Sequence, residues 1–274
     1  RFGGWRMPWN ADSGFHTARA QMPSQVPLAT ARDYDNYVAR LRAMPEYMRQ
    51  QIHLLRDGLT SGFVLPRAVL EGFDGTIRAH VVDDPAASVF YAPFPRIPAG
   101  VSAKDRARLR DAGLAAVREA AIPAYRELLD FYLREYLPAA RPTTSAADLP
   151  RGREYYAWRV RSFTTLEVTP DEVHQTGLAE VARIRAEMEA VMRRTGFTGD
   201  FAAFLDFLRT DPRFYAKSSD ELLKEAAWIA KRMDGKLPTL FGRLPRLPYG
   251  VEAVPAHIAP RYTGGRYVEP PLDG

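Results

Sequence analysis

The chain has 274 residues, 46% of them hydrophobic, enough to bury a core as one large domain or two modest ones, and this excludes global disorder. Its net charge of +5 and pI near 9.4 come with arginines interleaved with acids, as around Arg106–Arg110 and Arg183–Glu189; such mixing marks solvated helix faces, not the clustered patch that nucleic acid needs. With no cysteine, disulfides, thiolate zinc sites and cysteine nucleophiles are excluded, and no apolar run approaches the roughly 18 residues of a membrane span.

Residues 1–29 are rich in Gly, Pro, Trp and Phe without a sustained period and read as an irregular segment wrapping a surface. Thr30 with Asp33 forms a capping-box pattern, after which Tyr34, Tyr37, Val38 and Leu41 recur at helical spacing. Pro45 starts the next helix, with Met48, Ile52 and Leu55 on one stripe and Gly58 and Gly62 as its stop. Several prolines between 63 and 101 predict loop, above all from Ala92 to Gly100. From Ser102, with Asp105 at capping distance, a pattern begins in which Leu109, Ala116 and Val117 share a face. Pro123 interrupts it, and it resumes as Tyr125, Leu128, Leu129, Tyr132, Leu133 and Tyr136 until Pro138 and Pro142. Residues of this kind at this spacing are packing residues whose phenol tips reach water.

Residues 151–163 carry mixed strand and helix signals and are assigned to helix. Thr169-Pro170-Asp171-Glu172 joins an N-cap, a first-turn proline and a reciprocal glutamate. The helix it opens has Val173, Gly177, Val181, Ile184, Met188 and Val191 on one face, and Gly196 closes it. Shorter helices are predicted over 200–209 and, behind a Ser218/Glu221 box, 220–233. The prolines from Pro238 to Pro271 forbid long helices, while Val251, Ala253, Tyr262 and Tyr267 allow two or three short edge strands. The division is therefore 1–29 wrapping segment, 30–236 helical domain and 237–274 extended segment. Arg1 in place of Met, the tryptophan-rich start and an end in mid-turn at Leu272-Asp273-Gly274 are expected of a piece of a longer chain.

For chemistry, absences are informative. No two of His16, His53, His80, His174 and His257 stand four apart around an acid, so no local metallopeptidase motif exists and no metal ligand is assigned. His174, in a first helical turn, is expected at the surface; His16, within Ser13-Gly-Phe-His-Thr17, lies in the most unusual setting. There is no dinucleotide fingerprint, phosphate loop or serine elbow. Paired carboxylates for glycoside hydrolysis are a matter of spatial separation and stay open at this level.

Residues Thr169 to Met188 strongly resemble a conserved helix of a widespread bacterial family long catalogued as of unknown function. The likeness extends through Asp33-Tyr34 to Leu41, Gly58-Leu-Thr-Ser-Gly62 with Pro66-Arg67, Pro123 to Pro138, Leu149-Pro150-Arg151-Gly152 with Tyr156, Leu247 to Val251, Ala259-Pro260, and Tyr267 with Pro270 to Gly274. It thus covers essentially the whole chain. Members of that family resemble zinc-dependent peptidases of the gluzincin kind, whose His-Glu-x-x-His helix follows a segment like Tyr267 to Gly274. The resemblance implies a mainly α, multi-helix N-terminal part of a zincin-like peptidase fold with a few short strands or extended segments near its C-terminus. It implies zinc and a peptide substrate for the complete protein, none of the metal being held by this chain, and export to the periplasm or outer surface with a lipid anchor ahead of Arg1. By analogy Tyr262 and Tyr267 face the substrate cleft, where phenols can donate hydrogen bonds to a carbonyl or developing oxyanion; edge-strand packing is the competing role. A non-catalytic exported helical binding or scaffold protein is the alternative function, and nucleic-acid binding, suggested by pI, a third.

Overall fold

The computed structural model describes residues 2–11, 13–256, 259, 262 and 264–268. The chain divides into two compact units, residues 1–165 with 257–274, and residues 166–256.

The first unit holds helices α1 (Phe15–Ala20), α2 (Met22–Gln25), α3 (Ala31–Arg42), α4 (Met44–Ser61), α5 (Gly75–Arg78), α6 (Ala103–Ala116), α7 (Ile122–Phe131) and α8 (Gly152–Thr164). The stretch 1–29 is thus more ordered than its composition suggests, since α1 and α2 lie within it. The caps read from sequence are in place: Thr30 accepts from the Asp33 amide while Asp33 returns to the Thr30 amide at 2.8 Å, and Ser102 accepts from the Asp105 amide. Packing pairs α3 with α6 and α4 with α7. Arg108 with Asp35 (2.7 Å) and Arg56 with Glu135 (2.6 Å) bridge the same layers at their solvent edges.

Pro123 does not interrupt the long helix. From Ala103 to Tyr136 the backbone is continuously helical, passing through two π-helical turns, Val117–Ala121 and Tyr132–Tyr136. Each ends two residues before a proline, with Leu137 N–H closing on the Tyr132 carbonyl at 2.9 Å just ahead of Pro138. A wider turn relieves the clash between a proline ring and the carbonyl four residues back, and this lets the helix run through Pro123.

Tyr34, Tyr37, Tyr125, Tyr132 and Tyr136 are all buried, and their hydroxyls do not reach water. They bind backbone of the proline-rich stretch and of α1: Tyr37 donates to the Phe90 carbonyl (2.9 Å), Tyr132 to Leu70 (3.0 Å), Tyr125 to His16 (2.6 Å) and Tyr34 to Pro93 (3.3 Å). Tyr136 accepts from the Leu65 amide (3.1 Å). Residues 63–101 are irregular apart from α5 and short 3₁₀ turns, so their carbonyls lack ladder partners. The phenols supply those partners while their rings fill the core.

The second unit holds α9 (Pro170–Arg194), α10 (Phe201–Thr210), α11 (Ser219–Asp234) and α12 (Leu237–Leu240). Thr169 and Glu172 form the reciprocal cap, with Pro170 behind it. Phe197 packs its ring against Phe204 (5.2 Å) and Phe207 (5.3 Å), Phe207 packs against Phe214 (5.4 Å), and the Arg185 guanidinium lies 3.7 Å from the Phe201 ring centre. Met192 is the single buried hydrophobic residue of 166–256.

No strand occurs among the described residues; there are two isolated bridges, Trp9 with Gly14 and Pro66 with Arg141. The short strands expected in 237–274 are therefore absent from its described part. Val251 and Ala253 lie in exposed irregular backbone, where Pro245, Pro248 and Pro255 remove the donors a ladder would need.

Candidate functional site

Two places gather polar chemistry in the first unit. The deeper one surrounds His16, which is fully buried on α1. Its Nε2 lies 2.9 Å from Thr76 Oγ1, and the Thr76 hydroxyl donates its own proton to the Phe73 carbonyl at 2.7 Å. Thr76 must therefore accept, so the proton of His16 is on Nε2. Its Nδ1 lone pair is left buried without a partner. Trp9 and Phe73 present their rings at 6.1 and 5.2 Å, and His80, also buried, packs its ring 4.7 Å from that of Tyr125. Burial, and after it the neighbouring His80, pushes the His16 pKa down to about 3. Burial likewise raises the Tyr125 and Tyr37 phenols well above their ordinary range. A neutral imidazole sealed in an aromatic core is a packing element, not an accessible base.

The second is a recess of ≈320 Å³ lined by Phe2, Trp5, Arg6, Phe63, Pro150 and Arg151, among others. The Arg6 guanidinium stands 4.6 Å from the Trp5 ring centre and 5.7 Å from that of Phe63, and its buried Nε has no hydrogen-bond partner. Arg151 stacks 5.3 Å over Phe2 and forms a close ion pair with Glu154. Its φ of 54° is left-handed, an uncommon setting for a side-chain-bearing residue. Two distant motifs meet at this wall. A Cβ on Gly58 would lie 2.7 Å from the Arg6 carbonyl oxygen, one on Gly62 3.2 Å from Pro150, and one on Gly152 2.2 Å from the Ala146 carbonyl oxygen. A guanidinium between aromatic faces suits a carboxylate. The sequence signal was the pair of motifs Gly58–Gly62 and Leu149–Gly152; nothing in their spacing brings them together.

Tyr262 is half-buried, with the Arg266 guanidinium 4.8 Å from its ring centre, and Tyr267 is 77% exposed. Neither lines the recess. His53 and His174 are exposed on α4 and α9, and His257 lies outside the described residues. Among the described residues no three His, Asp or Glu side chains come together as a metal-ion cage. A shallow depression in the second unit, along the last turns of α9, is lined by Glu187, Val191, Arg193 and Arg194. Among the described residues no helix is long and apolar enough to cross a membrane.

No curated protein matches the chain. Among solved structures, a chain from Colwellia psychrerythraea described as a "putative lipoprotein" has the same fold, with a TM-score of 0.85 at 22% identity over 97% of this chain and 47% of that one. The present chain thus spans about half the length of that neighbour. A family profile, described as bacterial protein of unknown function (DUF885), matches residues 5–274, and the chain belongs to that family.

Proposed function

We propose that this chain is the N-terminal, cleft-forming portion of a zinc-dependent peptide hydrolase, exported and lipid-anchored, whose metal ligands are carried by another part of a longer protein. The observation that carries this reading is the disproportion in coverage: nearly all of this chain, 97%, matches less than half, 47%, of its structural neighbour. The rest is available to hold the chemistry. The family motifs support it from the other side, because several of them serve as scaffold. Tyr125 pins α1 and Tyr136 the backbone at Leu65, Gly58, Gly62 and Gly152 permit close approach, and Thr169 caps a helix.

Among the described residues no set of side chains fits a zinc ion. His16 and His80 are sealed among aromatic rings, while His53 and His174 stand exposed on separate helices of different units. The role left to the chain is binding and exclusion: helices as a wall restricting entry to short peptides, with Tyr262 and Tyr267 offering phenol donors to a substrate carbonyl.

Metal analysis and peptide cleavage, run in parallel on the full-length protein and on the 274-residue chain, test the reading. One zinc per full-length chain, cleavage of short peptides by that protein alone, and no retained zinc in the 274-residue chain are expected. Stoichiometric zinc in the shorter chain would overturn the assignment. A full-length protein that binds neither zinc nor cleaves peptides would leave the helical scaffold function in its place.

A further inference from the structure

Helix α9 is 25 residues long and has one buried side chain, Met192. At 100° per residue, Val173, Val181, Ile184, Met188 and Val191 fall within about 80° of its circumference, and every one of them is exposed, Val181 at 67%. Arginines and acids on both flanks of this stripe pair with one another. Arg183 bonds Glu180 and Glu187 (2.6 and 2.7 Å) along one flank, and Arg185 bonds Glu189 (2.7 Å) along the other. The face between those pairs is apolar and exposed. On α11 the same holds for Leu222, Ile229 and Met233 at spacings of seven and four, with Trp228 beside them at 55% exposure. An isolated helix draws most of its stability from burying such a stripe, so a unit with two uncovered stripes is one side of an interface.

We propose that these stripes are the docking surface for the remaining part of the family fold, the polypeptide making up the 53% (100 − 47) of the Colwellia chain that lies outside the match. The occupant is committed by length: this chain reproduces its share of that fold almost completely, and the share left over is large enough to bury both stripes. It presents an apolar surface, because the exposed face between the ion-paired flanks of α9 is apolar. The inference rests on the reading of the chain as part of a longer protein and is independent of the chemistry assigned to that protein.

The test is hydroxyl-radical footprinting of the full-length protein, with Met188, Trp228 and Met233 as resident probes. Side-chain oxidation follows exposure, so these three are expected to react about fivefold or more slowly than in the 274-residue chain, whatever the protein concentration. Equal rates in both proteins overturn the proposal. So does protection that rises with concentration, which makes a second copy of the chain the occupant. In the full-length protein the pair Val181→Asp and Ile184→Asp is expected to lower the unfolding temperature by about 5 °C or more, and to restore rapid oxidation at Met188; no change in either counts against it. Zinc content separates the two readings: a zinc-free protein with protected probes removes the hydrolase and keeps the surface, and a zinc-bound one with reactive probes does the reverse.

Discussion

His16 occupies a position where its charged form has no partner. Thr76 accepts the Nε2 proton, and Nδ1 faces the core with nothing to receive a proton's charge. Its pKa lies near 3 folded, lowered first by burial and then by His80, against 6.5 when the surroundings open. The unfolded chain therefore binds the extra proton, and the folded chain does not. The resulting stability is complete above pH 6.5 and is lost as pH falls toward 3, at up to ~1.4 kcal/mol per pH unit. Between pH 6.5 and 5, above most carboxylate titration, the unfolding free energy of the first unit is expected to drop by ~2 kcal/mol. His16→Gln retains an amide donor for Thr76 and carries no titrating ring, so its profile over that interval should be flat. Thermal unfolding at three pH values is sufficient, and parallel profiles for the two proteins would show that His16 is not the titrating group.

At the scale of elements, α4 shows what glycine can mean in one helix. Gly62 closes it in a left-handed conformation, φ 77°, with Phe63 N–H on the Gly58 carbonyl (2.8 Å) and Gly62 N–H on Leu59 (3.3 Å), the paired bonds of a Schellman motif. Gly58 serves the stop through its carbonyl alone. It lies buried inside the helix, where an added Cβ would sit 2.7 Å from the Arg6 carbonyl oxygen and 2.8 Å from that of Phe63. Helix propensity favours Gly58→Ala by ~1 kcal/mol, but overpacking against backbone that cannot rotate away costs ~1–3 kcal/mol. Net destabilisation is expected. Gly177 in α9 has open space around it, so Gly177→Ala should raise helicity in the 274-residue chain. Opposite signs in denaturant unfolding and circular dichroism check the pair; stabilisation by Gly58→Ala would mean that the Arg6 segment does not pack as described.

The same elements show how far the sequence could be read. Caps at Thr30, Ser102, Thr169 and Ser218 were legible because they are local chemistry, and the tyrosine stripe was legible as core because it is periodic. Where the tyrosine hydroxyls point was not, since their partners at Leu65, Leu70 and Phe90 lie 53 to 71 residues away. Pro123 read as a break because nothing local announces a π turn. The recess of Arg6 and Arg151 was hidden for a similar reason: its walls come from three separate stretches, joined by glycine contacts that leave no periodic trace.

At the scale of the whole molecule, apolar content and burial part company. Helices α9 and α11 carry apolar stripes at helical spacing as α3 and α7 do, yet α3 and α7 contribute Tyr37, Leu41, Tyr125 and Leu128 to a continuous core, while in residues 166–256 Met192 alone is buried. Periodicity predicts a face that wants cover and is silent on what covers it. Backbone amides resist exchange in proportion to the free energy of opening, and opening is cheap where few side chains pack. In the 274-residue chain, amides of α9 and α11 should therefore exchange about 100-fold or more faster than those of α4 and α7, a gap of ~3 kcal/mol in opening free energy. The capping box at Thr169 and the ion pairs farther along α9 slow its exchange by less than this, since each contributes on the order of 1 kcal/mol or below. Hydrogen–deuterium exchange with peptide-level mass spectrometry at neutral pH reads both classes in one experiment. Uniform protection across all four helices would mean that residues 166–256 find their stability within this chain, and the physical case for an external cover would go with it.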